Sequence, residues 1–542
     1  MKNTRRIFAA ACMGMIMASC VSQHEPTGYQ SAIINEDGTI TFQYKNDQAK
    51  EVYVDVQFAG KNKMTKDSLT GLWTTTVGPA APDMYPYNFQ VDGIGVMDPM
   101  CDEYFPNEGF KNSLLNIPAP QGSLIHDIKD VPHGTMEYVF YYSESLGGTN
   151  TALVYLPPTY NTDKDKKYPV FYLISGTTDT EEVYYKVGKV NYILDNLLAE
   201  GKAKEMIVVL PYGNPNKLLP ELPQREMPAT QFGGDVFSND LTTDLMPFIE
   251  SRYRTINDRE SRAIGGFSRG GNQALSNGLH NLDKFAYLCS YSSFTSTNIP
   301  NVYDNAQETN SQIRLFWSGV GTDDFLYGTA RDYTEFLDKK GIRNAKVYTD
   351  DKFGHTWMNA RFFLDQTLPL LFNPEASEKV MSQATPTKAK SGKEQDFTPG
   401  VMARLFPKPI ISPEYTESDV TFRLKAPNAT EVSLSYELSS KPIAMSKDSL
   451  GIWSITLSNV SDQIFEYHFN VDGTQVCDPQ NMYLSPTKGF KPSIAYGKYG
   501  PYYMYASSPM EHGTISYDYA AGTAIYSHPK ADDNAPIITL LI

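Results

Sequence analysis

Short segments of alternating apolar and polar residues open the chain: Thr39-Ile-Thr-Phe-Gln-Tyr44, Glu51-Val-Tyr-Val-Asp-Val56 and Tyr85-Pro-Tyr-Asn-Phe-Gln-Val91, separated by Gly, Asn and Asp. A period of two sends successive side chains to opposite faces, so these read as half-buried strands of a β-sandwich. From about residue 135 to 372 the pattern changes. Apolar runs such as Tyr168-Pro-Val-Phe-Tyr-Leu-Ile174, Glu205-Met-Ile-Val-Val-Leu210, Ser261-Arg-Ala-Ile-Gly265 and Ile313-Arg-Leu-Phe-Trp317 alternate with helical stretches at Asn191–Leu198 and Asp240–Tyr253. That alternation predicts a mostly parallel sheet covered by helices.

The sandwich pattern then returns. Met64-Thr-Lys-Asp-Ser-Leu69 recurs as Met445-Ser-Lys-Asp-Ser-Leu450, Asn88-Phe-Gln-Val-Asp-Gly93 as His468-Phe-Asn-Val-Asp-Gly473, Gly109-Phe-Lys111 as Gly489-Phe-Lys491, and His133-Gly-Thr135 as His512-Gly-Thr514. Agreement over such a span signals duplication of a whole module. The Val-Asp-Gly step in each copy predicts a hairpin turn. Glu375 to Gly400, rich in Ala, Ser, Thr, Lys and Gln, reads as a solvated linker. The second copy matches only the opening strands of the central region, Ile537-Ile-Thr-Leu-Leu-Ile542 falling where Val170-Phe-Tyr-Leu-Ile174 lies, and a truncated, inactive second catalytic module is expected.

With 542 residues, two to four domains are expected. Lys2, Arg5 and Arg6 precede an apolar stretch from Ile7 to Met17 too short to span a bilayer, which reads as an export signal over residues 1–19. Ala18-Ser19-Cys20 resembles a bacterial lipobox, so Cys20 is the expected lipidation site and the only expected membrane contact. The expected location is the outer membrane of a Gram-negative-type bacterium. Cys101, Cys289 and Cys477 have no paired or metal-like spacing, and neither a metal nor a cofactor is implied. A net charge of −15 argues against a nucleic-acid partner, which needs clustered Lys and Arg. The 36 Tyr and 27 Phe suit sheet packing and carbohydrate-facing surfaces; Trp73, Tyr85 and Tyr87 could stack on sugars, but the core is the favoured place for each.

Gly266-Phe267-Ser268-Arg269-Gly270 fits G-x-S-x-G, entered by strand-like Arg262-Ala-Ile-Gly265 and left by helix-like Asn272-Gln-Ala-Leu-Ser-Asn277. Small residues let the chain turn sharply enough to lift a serine above the sheet, so Ser268 is the candidate nucleophile. A serine hydroxyl needs a base, and the base an acid, both following the serine in this type of elbow. Of the four histidines in the hydrolase region and its approach, His126 and His133 precede Ser268, and His280 lies near the end of the following helix. This leaves His355 in Gly354-His-Thr-Trp357 as the base. Asp324, just past a buried strand, is the favoured acid over Asp323, with Asp350 and Asp351 as the competing pair. The oxyanion hole is expected to use the backbone N–H of Arg269 and one from Gly176 or Thr177.

The elbow at Ser268, Gly-Thr-Asp-Asp at 321–324 and Gly-His-Thr-Trp at 354–357 resemble the esterase-D-like α/β-hydrolases of carbohydrate esterase family 1, which includes feruloyl and acetylxylan esterases. The sandwiches are similar to immunoglobulin-like family 48 carbohydrate-binding modules. The resemblance puts nucleophile, acid and base on Ser268, Asp324 and His355. It departs from many relatives at Ser175-Gly176, where they have His-Gly, and at Ala360, where they have Trp.

The expected architecture is therefore multidomain: an α/β-hydrolase fold flanked by all-β immunoglobulin-like sandwich modules. Its segments are a sandwich at 27–118, the hydrolase at 119–374, a linker at 375–402, a second sandwich at 403–500 and the truncated hydrolase start at 501–542. The implied activity is hydrolysis of feruloyl or acetyl esters on plant polysaccharide such as xylan. The alternatives are a siderophore esterase of the enterobactin type and a non-catalytic glycan-binding lipoprotein.

Overall fold

The structure, a computed structural model, describes residues 29–120, 123–214, 235–349, 354–382, 410–498, 514–519, 523–527 and 538–541. The export signal with Cys20, Asp350, Asp351, His512 and most of the expected linker lie outside the described residues.

Each sandwich consists of two antiparallel sheets. In the first, Ala32–Ile34, Ile40–Lys45, Leu72–Val77 and Thr65–Lys66 pair in that order, opposite a sheet of Gly60–Lys63, Val52–Val56, Asp83–Val91, Ile94–Val96 and Ser113–Ile117. The alternating segments bury alternate residues: Ile40, Phe42 and Tyr44 face inward, as do Val52, Val54 and Val56. Trp73, Tyr85 and Tyr87 are buried among them. The Val-Asp-Gly turns have positive φ at Asp92 and Gly93, and again at Asp472 and Gly473, as a two-residue hairpin turn requires.

The hydrolase sheet is built from β1 (Thr135–Ser143), β2 (Gly148–Leu156), β3 (Val170–Ile174), β4 (Ile207–Pro211), β5 (Arg262–Phe267), β6 (Tyr287–Tyr291), β7 (Leu315–Gly321) and β8 (Ala345–Thr349). Their spatial order is 1-2-4-3-5-6-7-8, parallel from β4 to β8, with β1 and β2 antiparallel at one side. Strands β3, β4, β5 and β6 are buried along nearly their whole length because helices cover both faces, which is why their sequences read as apolar runs. The flanking helices include α1 (Val183–Lys186), α2 (Val190–Ala199), α3 (Arg269–His280), α4 (Tyr327–Lys340), α5 (Trp357–Thr367) and α6 (Pro374–Ser382). Helix α6 corrects the expected linker boundary. Residues 375–382 belong to the hydrolase domain, with Ser377 and Met381 buried and the Phe316 N–H directed at Met381 Sδ at 3.4 Å.

The duplicated units meet about a local two-fold. Gln48 lies against Gly473 while its counterpart Asn428 lies against Gly93, and the counterparts Met97 and Cys477 touch through sulfur at 3.9 Å. The second unit's hydrolase start forms β9 (Thr514–Asp518), β10 (Thr523–Ser527) and β11 (Ile538–Leu541), which extend the first unit's sheet from the β1 edge. The β1–β9 register places Glu137 opposite its own repeat counterpart Ser516, and Met136 and Tyr138 opposite Tyr517 and Ile515. Such reciprocal pairing is the signature of an isologous interface, here within one chain. It covers the backbone groups that an edge strand would expose. Tyr519 secures the junction by donating to Asp195, which also accepts from Tyr155 and pairs with His133.

The first sandwich is locked to the hydrolase by a buried ion pair between Asp83 and Arg361 of α5, whose guanidinium also donates to the Val187 carbonyl at 2.7 Å. Arg361 is 1% exposed, and burial with the adjacent guanidinium pushes the neighbouring His126 down to about 3, so that ring is neutral. Replacing Arg361 by Ala strands the Asp83 carboxylate and should cost about 3–5 kcal/mol. Thermal unfolding is expected to show a large drop for Arg361→Ala and recovery of more than half of it in Asp83→Asn with Arg361→Met; equal losses in both would argue against the pair as the lock.

Candidate active site

Strand β5 ends at Phe267 and α3 begins at Arg269, leaving Ser268 alone in the turn with φ 58° and ψ −122°. A non-glycine residue there is strained and persists only where its surroundings hold it. The Ser268 N–H donates to the Tyr291 carbonyl at 2.9 Å, and the Ser268 carbonyl accepts from the Asn272 N–H at 3.1 Å. The flanking glycines are there for space. A Cβ on Gly270 would lie 2.2 Å from the Ile174 carbonyl oxygen and 2.4 Å from that of Ser175; one on Gly266 would lie 2.5 Å from Ile174 O.

His355 reaches the serine from the loop after β8. Its Nδ1 is 3.0 and 2.9 Å from the two carboxylate oxygens of Asp324, and its Nε2 is 2.9 Å from Ser268 Oγ. An ionised carboxylate only accepts, so Nδ1 carries the proton and the Nε2 lone pair faces the Ser268 hydroxyl. Asp324, 3% exposed, is held at the end of β7 by donation from the Leu326 N–H at 2.8 Å. Asp323, its neighbour, is exposed and makes no bond to the imidazole. His280 faces solvent with Nδ1 on the Ser276 carbonyl, and His133 pairs with Asp195.

Several further residues hold the base in place. Asn359 of α5 donates to the Gly354 carbonyl at 2.7 Å, fixing the His355 loop where Gly354 has φ 61°. Phe267 stacks on the His355 ring at 4.7 Å, Phe325 meets it at 4.3 Å, and Trp357 lies between Phe267 and Tyr184. The only local sign of this aromatic wall is that Phe267 and Trp357 stand within the motifs of the nucleophile and the base and that Phe325 directly follows Gly-Thr-Asp-Asp.

The loop after β3 runs beside the nucleophile. The Gly176 N–H donates to Asp179 Oδ2 at 3.1 Å, so of the two donors expected from Gly176 and Thr177 this one is engaged within the loop, and the Arg269 guanidinium donates to the Gly176 carbonyl at 3.2 Å. Burial pushes Asp179 up to about 6 and Arg269 down to about 10. Among the described residues no group of three or more His, Cys, Asp and Glu side chains is placed to hold a metal ion.

Strand order and elbow define an α/β-hydrolase. Residues 143–356 match the family model described as putative esterase. The chain is 32% identical over 265 residues to an endo-1,4-beta-xylanase/feruloyl esterase of Xylanibacter ruminicola, covering 48% of this chain and 36% of that protein. It is 29% identical over 296 residues to endo-1,4-beta-xylanase Y of Acetivibrio thermocellus, covering 48% of this chain and 24% of that one. The chain thus spans well under half the length of these relatives. Among solved structures it is similar to a ferulic acid esterase from Anaeromyces mucronatus, at 25% identity, 46% and 94% coverage and a TM-score of 0.40. It is also similar to the enterobactin esterase of Shigella flexneri, at 16% identity, 62% and 93% coverage and a TM-score of 0.46. The central domain is an α/β-hydrolase that matches the putative-esterase model over residues 143–356.

The glycine requirement is testable. Gly270→Ala forces a methyl group into two backbone carbonyls and should destabilise the domain by about 1–3 kcal/mol or more, and thermal unfolding checks it; an unchanged midpoint would mean that the turn has room the geometry denies.

Proposed function

We propose that this protein is a serine carboxylesterase that removes feruloyl or acetyl groups from plant cell-wall polysaccharide such as xylan. The observation that carries the reading is His355, shared between Asp324 at 2.9 Å and Ser268 Oγ at 2.9 Å. His355 takes the proton as Ser268 Oγ attacks the ester carbonyl, and Asp324 stabilises the resulting imidazolium. The backbone N–H groups of Arg269 and Thr177 receive the developing oxyanion. Collapse expels the sugar hydroxyl, protonated by His355, and leaves an acyl-enzyme on Ser268. Water, deprotonated by His355, then releases the acid and restores the serine.

Supporting the substrate class are the 32% identity to a xylanase/feruloyl esterase and Phe325, an exposed ring 4.3 Å from the imidazole and suited to contact with an aromatic acyl group. The two sandwiches fit immunoglobulin-like carbohydrate-binding modules; buried Trp73, Tyr85 and Tyr87 supply no sugar platform there. Export and anchoring through Cys20 follow from the lipobox-like Ala18-Ser19-Cys20. Fractionation of cells labelled with a radioactive fatty acid tests this: a labelled membrane protein is expected, and an unlabelled Cys20→Ala.

Turnover of methyl ferulate, acetylated xylan and a catecholate trilactone should separate the substrate classes, with activity on the trilactone alone overturning the polysaccharide reading. Ser268→Ala is expected to lower kcat by roughly 10⁴–10⁶-fold and Asp324→Asn by about 10⁴-fold. Retained turnover in Ser268→Ala would remove that residue from the mechanism.

A further inference from the structure

The oxyanion donor that sequence alone locates least firmly, the Thr177 N–H, belongs to the peptide joining Gly176 to Thr177. That peptide is planar and trans, so its carbonyl and its N–H point in opposite directions. Whatever holds the carbonyl therefore aims the N–H. The carbonyl is held by Arg269, whose Nη2 donates to Gly176 O at 3.2 Å from a side chain 6% exposed, and by the Asp179 N–H, which donates to the same oxygen at 3.4 Å. The preceding N–H, that of Gly176, is tied to Asp179 Oδ2 at 3.1 Å and so is withdrawn from substrate. The segment abuts the nucleophile, since a Cβ on Gly176 would lie 3.6 Å from Ser268 Cβ.

The other Asp179 oxygen accepts from Asn107 Nδ2 at 3.0 Å, and Asn107 comes from the first sandwich. Its amide is oriented without ambiguity. Oδ1 accepts from the Gly109 and Phe110 N–H groups at 2.8 and 3.1 Å, so the NH₂ must face Asp179. The backbone joins the same contact: the Glu108 N–H donates to the Thr178 carbonyl at 2.7 Å and the Thr180 N–H to that of Pro106 at 3.5 Å. Lys111 Nζ holds the Asn107 carbonyl at 2.9 Å and faces Cys477 and Asp478 of the second sandwich.

Resting on the reading that Thr177 donates to the oxyanion, we propose that Arg269, Asp179 and Asn107 are positioning residues that set the Gly176–Thr177 peptide, making the first sandwich a working part of the oxyanion hole. Arg269 then acts twice, through its backbone N–H on the oxyanion and through its guanidinium on the second donor. The guanidinium, His355, Tyr184, Asn107 and the Gly176 N–H are the groups facing Asp179. Its carboxylate accepts both hydrogen bonds only when ionised, and burial leaves it titrating at about 6. Loss of the Asn107 bond removes an influence that lowers this value. Activity that depends on ionised Asp179 is complete above its value and lost as pH falls through it, so this contribution to the acid limb of kcat moves to higher pH.

The test is steady-state kinetics of the full chain on p-nitrophenyl acetate and methyl ferulate between pH 5 and 9, with thermal unfolding of each variant. Arg269→Met is expected to lower kcat by about 10- to 100-fold with KM within about two-fold, and Arg269→Lys, which can still donate to Gly176 O, to recover part of it. Asn107→Ala is expected to raise the acid limb by about 0.5–1 pH unit. Variants that lose only thermal stability, or whose KM rises while kcat and the acid limb stay put, would overturn the proposal and leave the contact as packing. A wild-type protein inert toward both esters would instead overturn the esterase reading, and the proposal with it.

Discussion

The hydrolase domain is organised around one strained backbone position. Ser268 sits at φ 58° and ψ −122°, a conformation costing of order 1–3 kcal/mol. It survives because strand β5 and helix α3 converge on it with no side chain between them and the Ile174 carbonyl. The strain lifts the hydroxyl above the sheet, where Asp324 and His355, on the loops after β7 and β8, complete the proton relay. Rigid strands set these distances.

The same convergence explains the role of the surrounding domains. The loop after β3 must run beside the elbow, where backbone has few partners of its own strand, so it is held from outside: by Arg269 from α3 and by Asn107 from the first sandwich. The second unit packs on the first through counterpart surfaces and continues its sheet past β1. Duplication thus supplies a cover for an exposed edge and a buttress behind Lys111, as well as a second set of strands.

The elbow, base and acid were legible because the chemistry restricts residue type and chain order: within the hydrolase region only His280 and His355 follow Ser268, and Asp324 lies just past a buried strand. The sandwich strands were legible from their period of two. Other features had no local signal. Asn107 and Asp179 are remote in sequence and meet only through domain packing. Helix α6 has the composition of a linker because Glu, Ala, Ser and Lys compose both solvated chain and surface helix, and only Met381 and Ser377 mark its buried side. Alternation in β9 announces a strand but not its partner, and nothing in it foretells pairing with β1.

The central claim is that Ser268 alone is activated by the His355–Asp324 pair. Mass spectrometry of the protein after reaction with a fluorophosphonate tests it most directly, since only a serine with an engaged base and oxyanion hole reacts rapidly. A single adduct on the peptide carrying Ser268, absent from His355→Ala, is the predicted result. Labelling at another serine, or adduct formation unaffected by loss of His355, would contradict it.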